Sequence, residues 1–507
     1  MGIFNQKSKF KAAPPTIRKE EVVIERPKPK PRPVVVSSAS GLQVPMTAAR
    51  KIKTPSASPR ASPGLRQSAS PYPPSSDEKR PDLKRKIRNG ASHRPSPASD
   101  RIEFDKDDSE SDDDWEDALD ARKRRKRALM MNTEARDPDR KMPHPDLLGI
   151  ANEDKIRKKE MQLVHAVDVA SLKLKCSPTL NAPPEEVALK LQYPGSKQRE
   201  RYELVAGREK IDVVKEIITV VKYVADVYLD DDEAKPLTNR ENGIIRRLER
   251  ASSTAVWDYK AFKSAVSDFN DRLLMLYSDG TIAKNLKKTH DLPPDLVAFI
   301  LNQIYERTVS QSVELLRKYE NGTDFVYGEL KHVFITDLLV RRLKMTSSQV
   351  FVDLGSGVGN VALQAALEIG CESWGCEIME NACNLAVAQK KEFTSRCRLW
   401  GLAPGKVRLL RGDFTQDTQV HEALKRADVV LVNNQAFTSK LNDTLVTMFL
   451  DLKQGCKIIS LRNLVHDSGH NINDVGTTIL DVEHHRYPEG YVSWTDSPGT
   501  FCISTRK

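Results

Sequence analysis

The 507-residue chain carries 80 Lys and Arg against 70 Asp and Glu, a formal charge of +10 and a pI near 9.0, which points toward an anionic partner, nucleic acid being the commonest. Seven cysteines, an odd number with no C-x-x-C pair, argue against a disulfide framework and against a zinc site, so no metal is expected. No run of about 20 apolar residues and no apolar leader of signal-peptide length is present, so the expectation is a soluble intracellular protein without a membrane partner.

Residues 1–171 have the composition of a chain that cannot bury a core. About 19 of the 29 prolines fall in the first 150 residues, among Ser, Lys and Arg and few large apolar side chains. Burial that small does not offset chain entropy, which predicts a disordered region. Basic residues alternate with proline from Arg26 to Pro33, and Ser-Pro pairs recur at Ser58-Pro59, Ser62-Pro63 and Ser96-Pro97. Such a segment is extended and can track a polyanion; phosphate on those serines would weaken the attraction. An acid block from Asp105 to Asp114 is followed by six consecutive cations, Arg122, Lys123, Arg124, Arg125, Lys126 and Arg127. This tract is a candidate for nuclear localisation and for DNA contacts, each neutralised phosphate releasing a counterion.

Order is expected from Leu172, and residues 172–320 read as mainly helical. Val187 to Tyr193 is a short strand stopped by Pro194. Val213, Val214, Ile217, Ile218, Val221 and Val224 keep helical spacing within 211–229, and further helices are predicted over 240–249 and 259–277. A longer helix starts at Pro293-Pro294 and runs through Leu316 to a break at Glu320-Asn321-Gly322. The segment Thr-Asp-Phe-Val-Tyr-Gly-Glu-Leu at 323–330 then lies between two helices, just before a strong strand. It can close over whatever that strand binds, with Tyr327 and Glu329 turned toward the ligand.

Residues 321–507 read as the core. Val350, Phe351, Val352, Asp353 and Leu354 form an apolar run that takes up an acid near its end, followed by Gly355, Ser356, Gly357, Val358, Gly359 and Asn360 and then an apolar-periodic segment. That is a strand, a tight glycine turn and a helix N-terminus, a unit that brings backbone N–H groups and a helix dipole against a ligand. The glycines sit one residue short of a dinucleotide fingerprint. Asp353 would repel a pyrophosphate but attract an ammonium group, so the spacing suits S-adenosylmethionine, whose α-amino and sulfonium groups are both cationic. Glu377 ends the next apolar run, where an acid can accept hydrogen bonds from both ribose hydroxyls. Strands are predicted at 350–354, 372–376, 406–411, 429–432 and 457–460, alternating with helices, and two late strands near 478–483 and 499–504 would finish the sheet as an antiparallel pair. The fold class expected is α/β: a seven-stranded, Rossmann-like class I methyltransferase with a helical N-terminal subdomain. Asp413, just past the third strand, can accept from the adenine amine while Phe414 stacks on the base.

The loop after the fourth strand, Asn433 to Phe437, should lie beside the transferred methyl group, because strand carboxyl ends face the ligand crevice of such a sheet. It lacks the paired prolines of enzymes that methylate exocyclic base nitrogens, so a base is the less favoured substrate. Trp494 and Phe501, with Phe437, are expected to wall an apolar channel. Such a channel suits lysine: the stem packs on the rings and desolvation favours the neutral, nucleophilic amine. Alignment of amine, methyl and sulfur then supplies the rate, with no dedicated base.

Residues 323–330, Asp353 to Asn360 (D-L-G-S-G-V-G-N), Gly375-Cys376-Glu377, Gly412-Asp413-Phe414, Val432 to Phe437 and Val492 to Thr495 together resemble the disruptor-of-telomeric-silencing family of histone methyltransferases, which lack a SET domain. The resemblance covers roughly 172–507, and the basic N-terminal extension is similar to the fungal branch. It implies methylation of histone H3 lysine 79 in nucleosomes, a nuclear location, roles in telomeric silencing and the DNA damage response, a monomeric enzyme, and ubiquitinated histone H2B as a candidate partner. It further implies that Tyr327, Gly328, Glu329, Leu330, Asp353, Gly355, Ser356, Gly357, Gly359, Asn360, Glu377, Asp413, Phe414 and Asn433 hold the cofactor. Asn433, Phe437, Trp494 and Phe501 would shape and position the lysine channel. Gln435 and Phe501 depart from the family, which has an aromatic and commonly a tyrosine there. Two other readings stay open: a methyltransferase of RNA or another protein, and an inactive methyltransferase fold that binds chromatin. Intact Asp353, Glu377 and Asn433 count against the second.

Overall fold

The structure, a computed structural model, describes residues 136–149, 161–207, 210–317, 327–465 and 475–507. The Ser-Pro pairs, the acid block, the cationic tract 122–127 and the first part of the closing segment lie outside the described residues. No helix among those described is long and apolar enough to cross a membrane.

The helical part contains α1 (Val213–Tyr223), α2 (Ile244–Ser252), α3 (Tyr259–Ser278) and α4 (Pro294–Thr308), close to the expected ranges. The predicted strand after Val187 is Ala188–Leu191, paired with Glu200–Glu203. Asp212 caps α1 by accepting from Lys215 N–H, and Asp258 caps α3 by accepting from Lys260 and Ala261 N–H, groups that the first turn leaves open. The long helix expected to reach Leu316 ends instead at Thr308. A 3₁₀ segment, Ser310–Arg317, follows, with Ser312 out of helical geometry. The Ser-Gln-Ser run explains the break, since serine hydroxyls compete for backbone groups.

After α5 (His332–Thr336) the chain builds one seven-stranded sheet: β1 (Val350–Leu354), β2 (Glu372–Glu377), β3 (Val407–Arg411), β4 (Val429–Val432), β5 (Lys457–Ser460), β6 (Leu480–Tyr487) and β7 (Gly499–Arg506). Interleaved helices are α6 (Asn360–Gln364), α7 (Glu380–Trp400), α8 (Thr418–Arg426) and α9 (Ser439–Met448). The strand order is β6-β7-β5-β4-β1-β2-β3; β1 to β5 run parallel, and β7 is antiparallel to both β5 and β6, the late pair expected from the sequence. Both faces are covered, which is why the strands are nearly continuous apolar runs. Val350, Val352 and Leu354 pack with Val430, Val432 and Ile458 on one face. Phe351 packs with Val429, Leu431, Ile459 and Phe501 on the other. The order reverses between β1 and its neighbours β2 and β4, and at that reversal the strand ends open a crevice.

The helical part and the core share one interior. Trp400, at the end of α7, meets Tyr193 edge-on at 5.1 Å and Phe299 at 6.1 Å, and its indole N–H donates to Gln303 at 3.0 Å. Beside it lies a buried ion cluster: Arg307 of α4 holds Glu200 at 2.9 Å and Glu216 at 2.5 Å, and Arg396 of α7 holds Glu200 at 2.5 Å and Glu392 at 2.7 Å. Burial alone would raise the Glu200 carboxyl, but the two guanidinium groups overcome it and hold it at about 2.

Packed structure begins earlier than the expected boundary at Leu172. Met142 is buried, the Arg140 guanidinium donates to the carbonyls of Leu367 and Glu368, His144 N–H donates to Gly401 O at 2.8 Å, and Arg398 pairs with Asp146 at 2.7 Å. A helical turn at Ala166–Val169 follows. These anchors are isolated residues fastened to partners more than 200 residues later, so local composition does not reveal them.

Candidate functional site

The crevice is a cavity of about 550 Å3 at the carboxyl ends of β1, β2 and β4. Its floor is the turn from β1 into α6. Gly357 has φ +54 and Gly359 φ +90, left-handed values that glycine adopts without strain. A Cβ on Gly357 would come within 2.9 Å of the Tyr327 ring, and one on Gly359 within 2.8 Å of Leu409. The turn is fastened to β2, since the N–H groups of Gly355 and Ser356 both donate to Cys376 O at 3.0 Å.

Two acids face this turn. Glu377 accepts from Gly357 N–H and from Met379 N–H, both at 2.8 Å, which fixes its carboxylate beside the glycine loop. Asp353 is only 2 % exposed, and the charge acting on its carboxyl is that of another acid, Glu377. Burial, and secondarily the Glu377 charge, push its carboxyl up to about 8. Asn433, at the end of β4, donates its amide to Gly328 O at 3.2 Å while its Oδ1 is buried without a partner. An acid that lacks a counter-charge and a carbonyl oxygen that lacks a donor are both complementary to a cation bearing N–H groups.

The wall opposite is Tyr327 to Leu330. It is held by a short antiparallel pairing that the sequence does not disclose: Ser493 N–H donates to Glu329 O, Glu329 N–H to Ser493 Oγ, and Lys331 N–H to Tyr491 O, each at 2.9 Å. Trp494 follows in that loop and lies against Gly328, where an added Cβ would come 2.7 Å from its ring. Burial raises the Glu329 carboxyl, which accepts from Tyr327 at 2.5 Å and also from Tyr305 and Asn360. Tyr305, which reaches the site from α4, was not foreseen. Its phenol is pushed up by burial and by Glu329. On the far side, Asp413 accepts from Thr415 N–H and hydroxyl at 2.8 Å, and the Phe414 ring stacks against Phe437 at 6.4 Å.

All the predicted cofactor residues line the cavity except Gly359, which packs beneath it. Of the predicted lysine-channel residues, Asn433 and Phe437 line the cavity and Trp494 backs its wall. Phe501 does not. It is fully buried on β7 opposite His485, stacked on that ring at 5.2 Å, edge-on to Phe334 at 5.3 Å and 5.1 Å from the Arg342 guanidinium carbon. The seven-residue spacing from Trp494 crosses from a loop into a strand, where it carries no information about a shared face. Gln435 is exposed, while its neighbour Asn434 is buried and ties the β4 loop to Arg462, accepting from the backbone N–H at 2.8 Å and donating to the carbonyl at 3.2 Å. Ile378, Met379, Lys440 and Thr444 also line the cavity and carried no motif.

A sheet in this strand order, with a glycine turn after its first parallel strand and acids at the ends of that strand and the next, defines a class I S-adenosylmethionine-dependent methyltransferase. Asp353, the Asn433 oxygen and the glycine cradle fit the cationic cofactor of that class. Residues 305–506 match the family described as histone methylation protein DOT1, and the chain belongs to that family. A protein of Gibberella zeae named histone-lysine N-methyltransferase, H3 lysine-79 specific, is 56% identical over 513 residues, spanning 100% of both chains. Proteins of the same name from Chaetomium globosum and Aspergillus fumigatus are 59% and 45% identical over 394 and 407 residues. They cover 78% of this chain in each case, and 75% and 79% of their own.

Proposed function

We propose that the chain methylates lysine 79 of histone H3 on the nucleosome, in the nucleus, as a monomer. The observation that carries the reading is one cavity lined by the buried Asp353 carboxyl, by Asn433 with its unpartnered oxygen and by Phe437 in the loop after β4. When bound, S-adenosylmethionine supplies a methyl group on a cationic sulfur. Asp353 and the Asn433 oxygen hold the ammonium end, Glu377 the ribose hydroxyls, and Asp413 and Phe414 the adenine. Tyr327, Glu329 and Leu330 close the methionine side, while Gly355, Ser356, Gly357 and Asn360 present the turn and helix start. Phe437 and Trp494 flank the incoming lysine, pack on its stem and exclude water, so its amine arrives neutral without a general base.

Residues 172–320 brace the pocket through Tyr305 and the Trp400 interior, and residues 321–507 carry it. The cationic residues Arg122, Lys123, Arg124, Arg125, Lys126 and Arg127 add DNA affinity. The test is mass spectrometry after incubation with labelled cofactor and, in parallel, nucleosomes, nucleosomes carrying ubiquitinated H2B, free histones and RNA. Methyl on H3 lysine 79 of nucleosomes supports the proposal. Methyl on RNA or on another lysine overturns it.

A further inference from the structure

β3 pairs only with β2, so its outer side is an edge of the sheet among the described residues. Edge strands commonly carry charge merely to block pairing with other chains. Here the acid beside Lys406, Glu372, is shared with stronger partners, and the Lys406 charge is the smallest of the pulls on it. Glu372 accepts from the Trp374 indole at 2.8 Å and from both terminal nitrogens of Arg426 at 3.0 and 3.3 Å, and the Arg426 hydrogen bonds hold its carboxyl below the usual range. Arg408, directly across from Trp374 on β3, has its guanidinium carbon 4.6 Å from the centre of the indole. Stacking fixes that group in place, so less side-chain entropy is lost when it meets an anion. Lys390 of α7 is half-buried nearby, and burial and then the Arg408 charge lower its ammonium pKa. Lys406 is exposed at the start of the same edge. Like charges are thus held together on an ordered surface, an arrangement that a row of phosphates would relieve.

We propose that this edge, through Lys390, Lys406 and Arg408, is a folded docking surface for the phosphate backbone of duplex DNA, separate from the cationic tract at 122–127. The inference does not depend on which histone lysine is methylated. Its test is fluorescence anisotropy of the full chain with labelled duplex DNA free of histones, across a salt series. Lys406→Glu combined with Arg408→Glu should weaken binding at least tenfold and flatten the log–log salt slope by about two units, near one per phosphate contact. S-adenosylhomocysteine affinity and melting temperature should stay at wild-type values. The charge-preserving Arg408→Lys should keep the slope, and Lys406→Gln with Arg408→Gln should give an intermediate loss. DNA affinity and slope equal to wild type in the double Glu variant would overturn the proposal.

Discussion

The proposed role of Asp353 predicts that cofactor binding is a proton-linked event. In the free protein the Asp353 carboxyl sits at about 8, raised by burial and by Glu377; Glu329, Asp413 and Lys440 line the same cavity. A cationic ligand binds the ionised form, so below pH 8 each bound ligand must first expel a proton. The affinity is reduced by a factor of 1 plus ten raised to the gap between 8 and the pH. That factor is about 100 at pH 6, about 10 at pH 7 and close to one at pH 8.5. At pH 7 about 0.9 proton leaves per ligand bound. S-adenosylhomocysteine is the probe, since it retains the amine and is not consumed. Calorimetry in two buffers of unlike ionisation heat, at pH 6, 7 and 8.5, yields both affinity and protons released. Affinity should rise about ninefold from pH 6 to 7 and about fivefold from 7 to 8, and Asp353→Asn should bind weakly with no such dependence. A flat profile between pH 6 and 8, or binding without proton release, would refute the reasoning.

The same group affects folding with a definite sign. Between about 4 and 8 the unfolded chain has lost the Asp353 proton while the folded chain retains it, so rising pH removes about 1.4 kcal/mol of stability per unit across that window and nothing more above it. Melting curves of the free protein at pH 5.5 and 8 should show this fall, and Asp353→Asn should lack its share of it. Gly357→Arg should abolish cofactor binding, because φ +54 disfavours any side chain and a Cβ already meets the Tyr327 ring at 2.9 Å. Calorimetry that still finds tight binding would contradict this. Arg396→Met removes one cation from the buried cluster and leaves Glu200 and Glu392 under-compensated. Chemical denaturation should report a loss of about 3–5 kcal/mol. Deleting residues 122–127 should weaken nucleosome binding and reduce its salt slope, leaving cofactor affinity unchanged.

What was legible in the sequence was whatever local chemistry dictates. The strand, glycine turn and helix at Val350 to Gln364 could be read because glycine spacing and an acid at a strand end have few other uses, and the strands could be read because burial on both faces forces continuous apolar runs. The contacts that close the site were hidden because they join distant segments through ordinary residues. Ser493 holds the Glu329 backbone, Tyr305 reaches the Glu329 carboxyl from α4, and Arg140 grips the far end of the helix that carries the cofactor turn. None of these has a motif, since each depends on where the partner segment arrives in space.

Phe501 illustrates the converse. Its chemistry suits a lysine channel and its neighbours in the sequence point the same way, yet β7 is an interior strand whose alternate residues face Phe351 and Ile459, and a ring of that size there completes the core. The proposed channel therefore rests on Phe437 and Trp494, which sit on loops whose positions are set from behind by Asn434 and Ser493. Exposed Gln435 leaves the rim of that loop polar. On this geometry Phe501→Ala should cost stability, about 3–5 kcal/mol for a buried ring. In the fraction that remains folded, cofactor affinity and the KM for nucleosomes should stay near wild type, whereas Trp494→Ala should raise that KM with little change in melting temperature. The opposite pattern, a folded Phe501→Ala protein with lost turnover, would place the ring back in the channel.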